Sequence, residues 1–394
     1  MEEVAVDHSQ VPVSALDGPF VQQLFDDRVP ESATLDYKSR FSLLKTDQEK
    51  RDYLKDACAL ANARGGLIVW GIEEVDGVPT QIVGIGDDSV DEGIRQREQL
   101  VAKCTEPPIY DLRTIQVSVG ERRLVVQRIG RGLTGPHMIT LGGSDRFYIR
   151  MSRHNEPMDY GGIRRAFTAS EERIDAVRRL RSQRIARIVA RETPVHLEHE
   201  RLVALHVVPI ISRTSPLHAA AIRAASAHFG TLWADGPGSA RINFDGVAFH
   251  DGTYREDGTS MYCQVFRSGM VEAVGPAGSF TQDRLPMPEI EHRILQRASE
   301  YVHGLLGLDF TYPFAIGVTL IGVKGCKIFQ GHEAAIGYAH PIRDELLLVP
   351  EVVVESPDDA IDVALCDACD WMWNAAGHLR SPHFDDLRRW NGVD

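Results

Sequence analysis

Cysteine is scarce in this chain. Six in 394 residues, Cys58, Cys104, Cys263, Cys326, Cys366 and Cys369, are too few for a disulfide framework, which points to a reducing compartment. Long apolar runs are missing too: none approaches the roughly 18 residues that span a bilayer, and "MEEVAVDHSQ" lacks the basic-then-apolar layout of a secretory signal. The expectation is a cytoplasmic protein with no membrane partner. Positive charge is in deficit, 43 Lys and Arg against 56 Asp and Glu, for a net charge of -13 and a pI of about 5.6. That balance argues against generic nucleic-acid affinity, because phosphate contacts need cations. There is no G-x-S-x-G elbow and no G-x-x-x-x-G-K-[ST] loop. Gly65 and Gly66 in "ARGG" are explained by a helix stop, so no nucleotide cofactor is expected. Cys366-x-x-Cys369 with His378 and His383 has a superficial zinc spacing. Yet the cysteines lie in an apolar helical pattern, and the eight residues between Cys369 and His378 fall short of a finger loop, so they read as buried helix cysteines.

What is present is an ordinary globular composition, 43% hydrophobic and 25% charged, in a chain long enough for two domains. Residues 1 to about 30 form a lead-in, with an amphipathic helix in "LDGPFVQQLFDDR". From about 31 to 170 the pattern reads as one α+β domain. Its first helix starts with Asp47 as N-cap, carries Tyr53, Leu54, Ala57, Leu60 and Ala61 at helical spacing, and stops at Gly65 and Gly66. The run "LIVWGI" then implies a strand covered on both faces. Strands follow in "TQIVGIG", "DLRTIQVSV", "RRLVVQRIG" and "DRFYIRM", and a helix in "YGGIRRAFTAS".

That helix continues as an Arg-rich connecting helix over 171 to 192. From Arg146 to Arg191 there are twelve arginines and five acids, a local balance of +7. Such a strip is a candidate phosphate footprint, or else a solvated helix whose Arg stems cover apolar surface. Residues 193 to 394 read as a second α+β domain of unassigned role. Its tryptophans Trp371, Trp373 and Trp390 suit core packing better than base stacking. The histidines of "HLEHERLVALH" have no sequence-level partner.

One constellation carries chemistry. If "ATLDYKS" is a strand, Ala33, Leu35 and Tyr37 face one side while Thr34, Asp36 and Lys38 face the other, so a carboxylate stands beside an ammonium over a packed back. An acid-x-Lys pair of this kind suits metal-dependent phosphodiester chemistry, the carboxylate binding a divalent cation and the lysine steadying water or phosphate. Glu31 could add a ligand from the strand's mouth. Glu73 and Glu74 end the apolar strand at a position that often carries functional groups, although they also precede the turn signal Asp76-Gly77. An incidental ion pair on an exposed strand is the plain alternative.

Together, "ESATLDYKSR", "CALANARGGLIVWGIEE", "TQIVGIG", "GPHMI", "FYIRMS" and "GGIRRAF" resemble the Schlafen AlbA-type domain, over about residues 31 to 170. The resemblance implies an AlbA-like mixed sheet with helices. It further implies either a metal-dependent endoribonuclease on structured RNA such as tRNA, in a stress or phage-defence setting, or a non-catalytic DNA- or RNA-binding regulator. A protein-interaction or ligand-sensing module is the third alternative. Carried over by position, the implied catalytic and metal-binding acids are Glu31, Asp36 and Glu73 or Glu74, with Lys38 beside them and Mg²⁺ or Mn²⁺ as the metal. Asp36 stands where the family usually has Glu, and Glu73 or Glu74 where it commonly has Asp, which changes reach by one methylene. Candidate nucleic-acid contacts are Arg40, Arg64 and Arg150 within the quoted motifs and Arg178, Arg179 and Arg181 on the basic helix. With one lobe evident, a composite RNA groove calls for a homodimer or for the second domain.

Overall fold

The computed structural model describes residues 8–392 apart from 12, 87–88, 133–134, 144, 211–214, 235, 237, 252–258, 278–282, 330–339 and 356–358. The chain divides into two compact units, Met1–Arg173 and Ile174–Asp394.

In the first unit, helix α1 (Gly18–Asp26) starts at Asp17, whose side chain accepts the Phe20 N–H at 2.9 Å. Strand β1 (Leu35–Lys38) follows, and then α2 (Asp47–Asn62). The cap of α2 is Thr46, one residue before the expected Asp47. Its hydroxyl accepts the Glu49 N–H while the Glu49 carboxylate accepts the Thr46 N–H, a reciprocal pair that outcompetes Asp47. Next come β2 (Gly66–Trp70) and a hairpin of β3 (Ile72–Val75) and β4 (Val78–Ile82), turned by Asp76 and Gly77 at φ 54° and 77°. Helix α3 (Val90–Cys104) was not expected from the sequence. Its inward stripe of Val90, Arg97 and Val101 is broken by an arginine, which is buried and stacks 4.1 Å from the Phe41 ring centroid.

After β5 (Thr105–Glu106), strands β6 (Leu112–Val119) and β7 (Arg122–Ile129) complete a four-stranded sheet in the order β1-β2-β7-β6, with β1 and β2 parallel. Strand β2 is buried on both faces, as its apolar run implies. Ile68 and Trp70 pack under α2 with Leu54 and Leu60, while Leu67 and Val69 join Leu35, Tyr37 and the α1 residues Val21 and Leu24. Strands β8 (Met138–Ile139), β9 (Arg146–Met151) and β10 (His154–Pro157) form a second sheet with β5, in the order β10-β9-β8-β5.

Helix α4 (Tyr160–Val189) is continuous, and the division between the units falls within it. In the second unit, β11 (Leu202–Pro209), helix α5 (Ala219–Ala224), β12 (Ser239–Ile242), β13 (Gly246–His250), β14 (Tyr262–Phe266) and β15 (Val271–Pro276) precede β16 (Arg284–Pro286) and α6 (Met287–Gly307). Strands β17 (Phe314–Ile321), β18 (Lys327–Phe329), β19 (Leu346–Leu348) and β20 (Val352–Val354) then lead to α7 (Ile361–Asn374). An eight-stranded antiparallel sheet runs β12-β13-β14-β15-β11-β17-β19, with β20 also on β17.

One face of this sheet packs Leu205, Val265 and Ile316 with Ile294, Tyr301 and Trp373 from α6 and α7. Cys366 and Cys369 are buried on α7. The chain is α+β in both units, with helices and strands in open sheets.

Candidate nucleic-acid cleft

The candidate site grows from β1. Its parallel register sets Asp36 opposite Ile68 and Lys38 opposite Trp70, so both polar side chains leave the sheet on the face that α2 covers. The pairing is close because β2 opens on glycine: a Cβ on Gly66, at φ 154°, would lie 2.5 Å from the Thr34 carbonyl oxygen.

Asp36 is 2% exposed. Its Oδ1 accepts Arg150 Nη2–H at 2.9 Å, and its Oδ2 is ion-paired with Lys38 Nζ at 2.7 Å. Lys38 Nζ stands 3.4 Å from Oδ2 of Asp56, on α2. Asn155 on β10 donates to Asp56 Oδ1 at 2.6 Å and accepts Arg150 Nη1–H at 3.4 Å. Arg150 also donates to the carbonyls of Ser32 and Leu35, at 3.2 and 3.3 Å.

Glu31 is fixed at both ends, its N–H on the Gly77 carbonyl at 2.7 Å and its Oε1 accepting the Tyr37 N–H at 2.8 Å. Glu74 turns back to accept the Gly77 N–H, and Glu73 is exposed. All five implied catalytic residues, Glu31, Asp36, Lys38, Glu73 and Glu74, thereby line one cleft of about 720 Å³, together with Lys55, Asp56, Arg150 and Arg153.

The electrostatics of the floor are strongly coupled. Burial pushes the Asp56 carboxyl up to about 6, against the pull of Lys38. Burial works the other way on Lys38, yet the Asp56 and Asp36 carboxylates together push its ammonium up to about 12. Burial also raises Glu31, opposed by the Tyr37 N–H. Perturbed carboxylates gathered in a concave site mark a functional location.

Whether these residues suit a divalent cation is a question of free oxygens. Mg²⁺ and Mn²⁺ need carboxylates that converge with lone pairs to spare. Here Asp36 is spent on Arg150 and Lys38, Asp56 on Asn155 and Lys38, one Glu31 oxygen on Tyr37 and one Glu74 oxygen on Gly77. Among the described residues no three His, Cys, Asp or Glu side chains converge as a ligand group. The expected ligand set of Glu31, Asp36, Glu73 and Glu74 shares a cleft but does not close on a point, and the ammonium of Lys38 holds the position between the acids.

The comparisons bear on this first unit. Residues 31–159 match the family model described as Schlafen, AlbA_2. The chain carries a Schlafen AlbA-type domain. This domain supports a nucleic-acid-related function. Among solved structures, the DIP2311 protein from Corynebacterium diphtheriae aligns at 17% identity and a TM-score of 0.25, covering 32% of this chain and 22% of that one. No curated protein matches the chain.

Within the Schlafen AlbA-type domain the basic candidates separate. Arg40 and Arg64 are exposed, whereas Arg150 is 4% exposed and donates to Asp36. Part of the basic strip of α4 is likewise committed, Arg181 and Arg184 being buried within the second unit. Arg181 is buried, donating to the Val318 carbonyl and to Thr319 Oγ1, the latter at 2.9 Å. Arg178 pairs with Glu351 and with Asp175 yet stays 59% exposed, so Arg178 and Arg179 are both exposed of the three expected contacts.

Sequence reasoning missed Asp56 and Asn155. Asp56 was legible in one respect: it sits three residues after Tyr53 and four before Leu60, a carboxylate on the core-facing stripe of α2. Nothing local marked Asn155, which reaches the site only through the pairing of β10 with β9.

Proposed function

We propose that the Schlafen AlbA-type domain binds the sugar–phosphate backbone of RNA or DNA in this cleft through Lys38, without hydrolysing it. The observation that carries this reading is the Lys38 ammonium, oriented 2.7 Å from Asp36 and 3.4 Å from Asp56 on a cleft floor whose nearest carboxylates are already engaged. The acids then serve to aim a cation instead of holding a metal. That role accounts for carboxylates in a phosphate-binding site, which free acids would repel. Lys38 remains accessible, its side chain 39% exposed.

The test is fluorescence anisotropy with labelled tRNA and duplex DNA over a range of salt. Lys38→Gln should weaken binding about tenfold and reduce the slope of log affinity against log salt by about one. Unchanged affinity would remove Lys38, and this reading, from consideration.

A second reading, metal-dependent endoribonuclease, is favoured by the gathering of Glu31, Asp36, Glu73, Glu74 and Lys38 on one cleft. Its signature is RNA cleavage with Mg²⁺ or Mn²⁺ that disappears in Lys38→Gln. Such cleavage would replace binding alone with hydrolysis.

A further inference from the structure

A closed ring of five side chains surrounds the cleft floor: Lys38, Asp36, Arg150, Asn155 and Asp56, joined in that order and back to Lys38 by contacts of 2.7, 2.9, 3.4, 2.6 and 3.4 Å. They come from β1, α2, β9 and β10, so the ring exists only in the folded unit. It holds two carboxylates, two cations and one amide and is charge-balanced within itself. The contacts are unequal in kind. Both cations line the cleft, but Arg150 is buried and bound on several sides, whereas the Lys38 side chain is 39% exposed. Asn155 fixes the orientation of Asp56 by occupying Oδ1, which leaves Oδ2 directed at Lys38.

An anionic oxygen facing Lys38 across a cleft stands where a phosphate oxygen would stand. We propose that Asp56, oriented by Asn155, is a positioning residue for Lys38 and an internal competitor for it, so that the charge on Asp56 sets how tightly backbone phosphate is held. The inference rests on the binding reading above. It assigns the cleft a regulated ligand class, the phosphodiester backbone, with affinity that rises when Asp56 is neutral.

The groups facing Asp56 are Lys38 and Asp36 from β1, Arg150 from β9 and Asn155 from β10, with Lys55 beside it on α2. Its carboxyl is pushed up to about 6 by burial, so mild acid neutralises it while Lys38 keeps its charge. His154 lines the same cleft, so the informative quantity is the difference between two proteins that both contain it.

The experiment measures anisotropy of labelled tRNA on the full chain from pH 7.5 to 5, for wild type, Asp56→Asn and Lys38→Gln, with melting temperatures recorded alongside. Asp56→Asn keeps the shape of the side chain and removes its charge. It should bind about five- to tenfold tighter than wild type at pH 7.5. The two should converge near pH 5, where wild-type Asp56 is neutral as well. Lys38→Gln should bind more weakly and show a smaller rise on acidification than wild type, a comparison that decides the matter even if Asp56→Asn fails to fold. If Lys38→Gln weakens binding but rises with acid as steeply as wild type, or if folded Asp56→Asn matches wild type at pH 7.5, Asp56 is no competitor and the inference fails while the binding reading stands. If Lys38→Gln binds as tightly as wild type, the binding reading itself fails.

Discussion

Asp36 looks from the sequence like the residue to remove in order to test chemistry, and its surroundings make it the wrong one. Its carboxylate neutralises Arg150, whose side chain is 2% exposed, so Asp36→Asn leaves a buried guanidinium without its counter-charge. We expect that variant to lose about 3–5 kcal/mol of stability in urea unfolding followed by tryptophan fluorescence. Lys38, partly exposed, is the cleaner probe. The second unit has a parallel arrangement at Glu272, which is fully buried and accepts two hydrogen bonds from Arg184 at 2.8 Å, one from Tyr262 at 2.8 Å, and faces His206 Nε2 at 3.1 Å. Burial works against its charge, yet Arg184 and His206 hold the carboxyl down to about 2 from an ordinary 4.5. A depressed acid stabilises the fold above the unfolded value and loses that contribution as pH falls through the folded one. Thermal melts should therefore show the second unit weakening between about pH 4.5 and 2, with a shallower fall in Glu272→Gln.

At the scale of elements, the site depends on how closely β1 lies beside β2. The glycine that permits this was read in the sequence as a helix stop, and Gly65, at φ 79°, does end α2. Gly66 has the second role of admitting the Thr34 backbone. Gly66→Ala should cost about 1–3 kcal/mol and shift β1, lowering nucleic-acid affinity along with stability in the same anisotropy and urea measurements. Elements with regular apolar spacing were legible, among them α2, β2, β7, β11 and α6. Helix α3 was not, because Gly93 and Arg97 occupy its inward stripe and the guanidinium is stabilised there by aromatic faces that come from elsewhere in the chain.

Across the whole molecule, charge counted along the sequence misplaces the cations. The +7 strip from Arg146 to Arg191 suggests a phosphate footprint, but three of its twelve arginines are folded inward. Arg150 is bound to Asp36, Arg181 to β17 and Glu351, and Arg184 to Glu272 with its guanidinium 4.8 Å from the Phe266 ring centroid. Acids distant in sequence absorb the arginines near in sequence. Arg178→Glu should accordingly leave nucleic-acid affinity within about twofold of wild type, since Arg178 is already paired and exposed pairs contribute little. A large loss in that anisotropy measurement would restore the basic helix as a binding surface.

The sequence by itself determined the α+β class, the doubly covered strand β2 and the one-faced Asp36-x-Lys38 pair, because all three follow from side-chain periodicity and local burial. It also carried the motif order of a Schlafen AlbA-type domain. Only the tertiary structure decided what the charged residues touch. Whether a carboxylate is free for a metal or bound to an arginine depends on which strand passes beside it, and β9, β10 and α2 bring Arg150, Asn155 and Asp56 to Asp36 and Lys38 from more than a hundred residues away in the first two cases. Long-range pairing, to which sequence periodicity is blind, set the Lys38 ammonium between the Asp36 and Asp56 carboxylates.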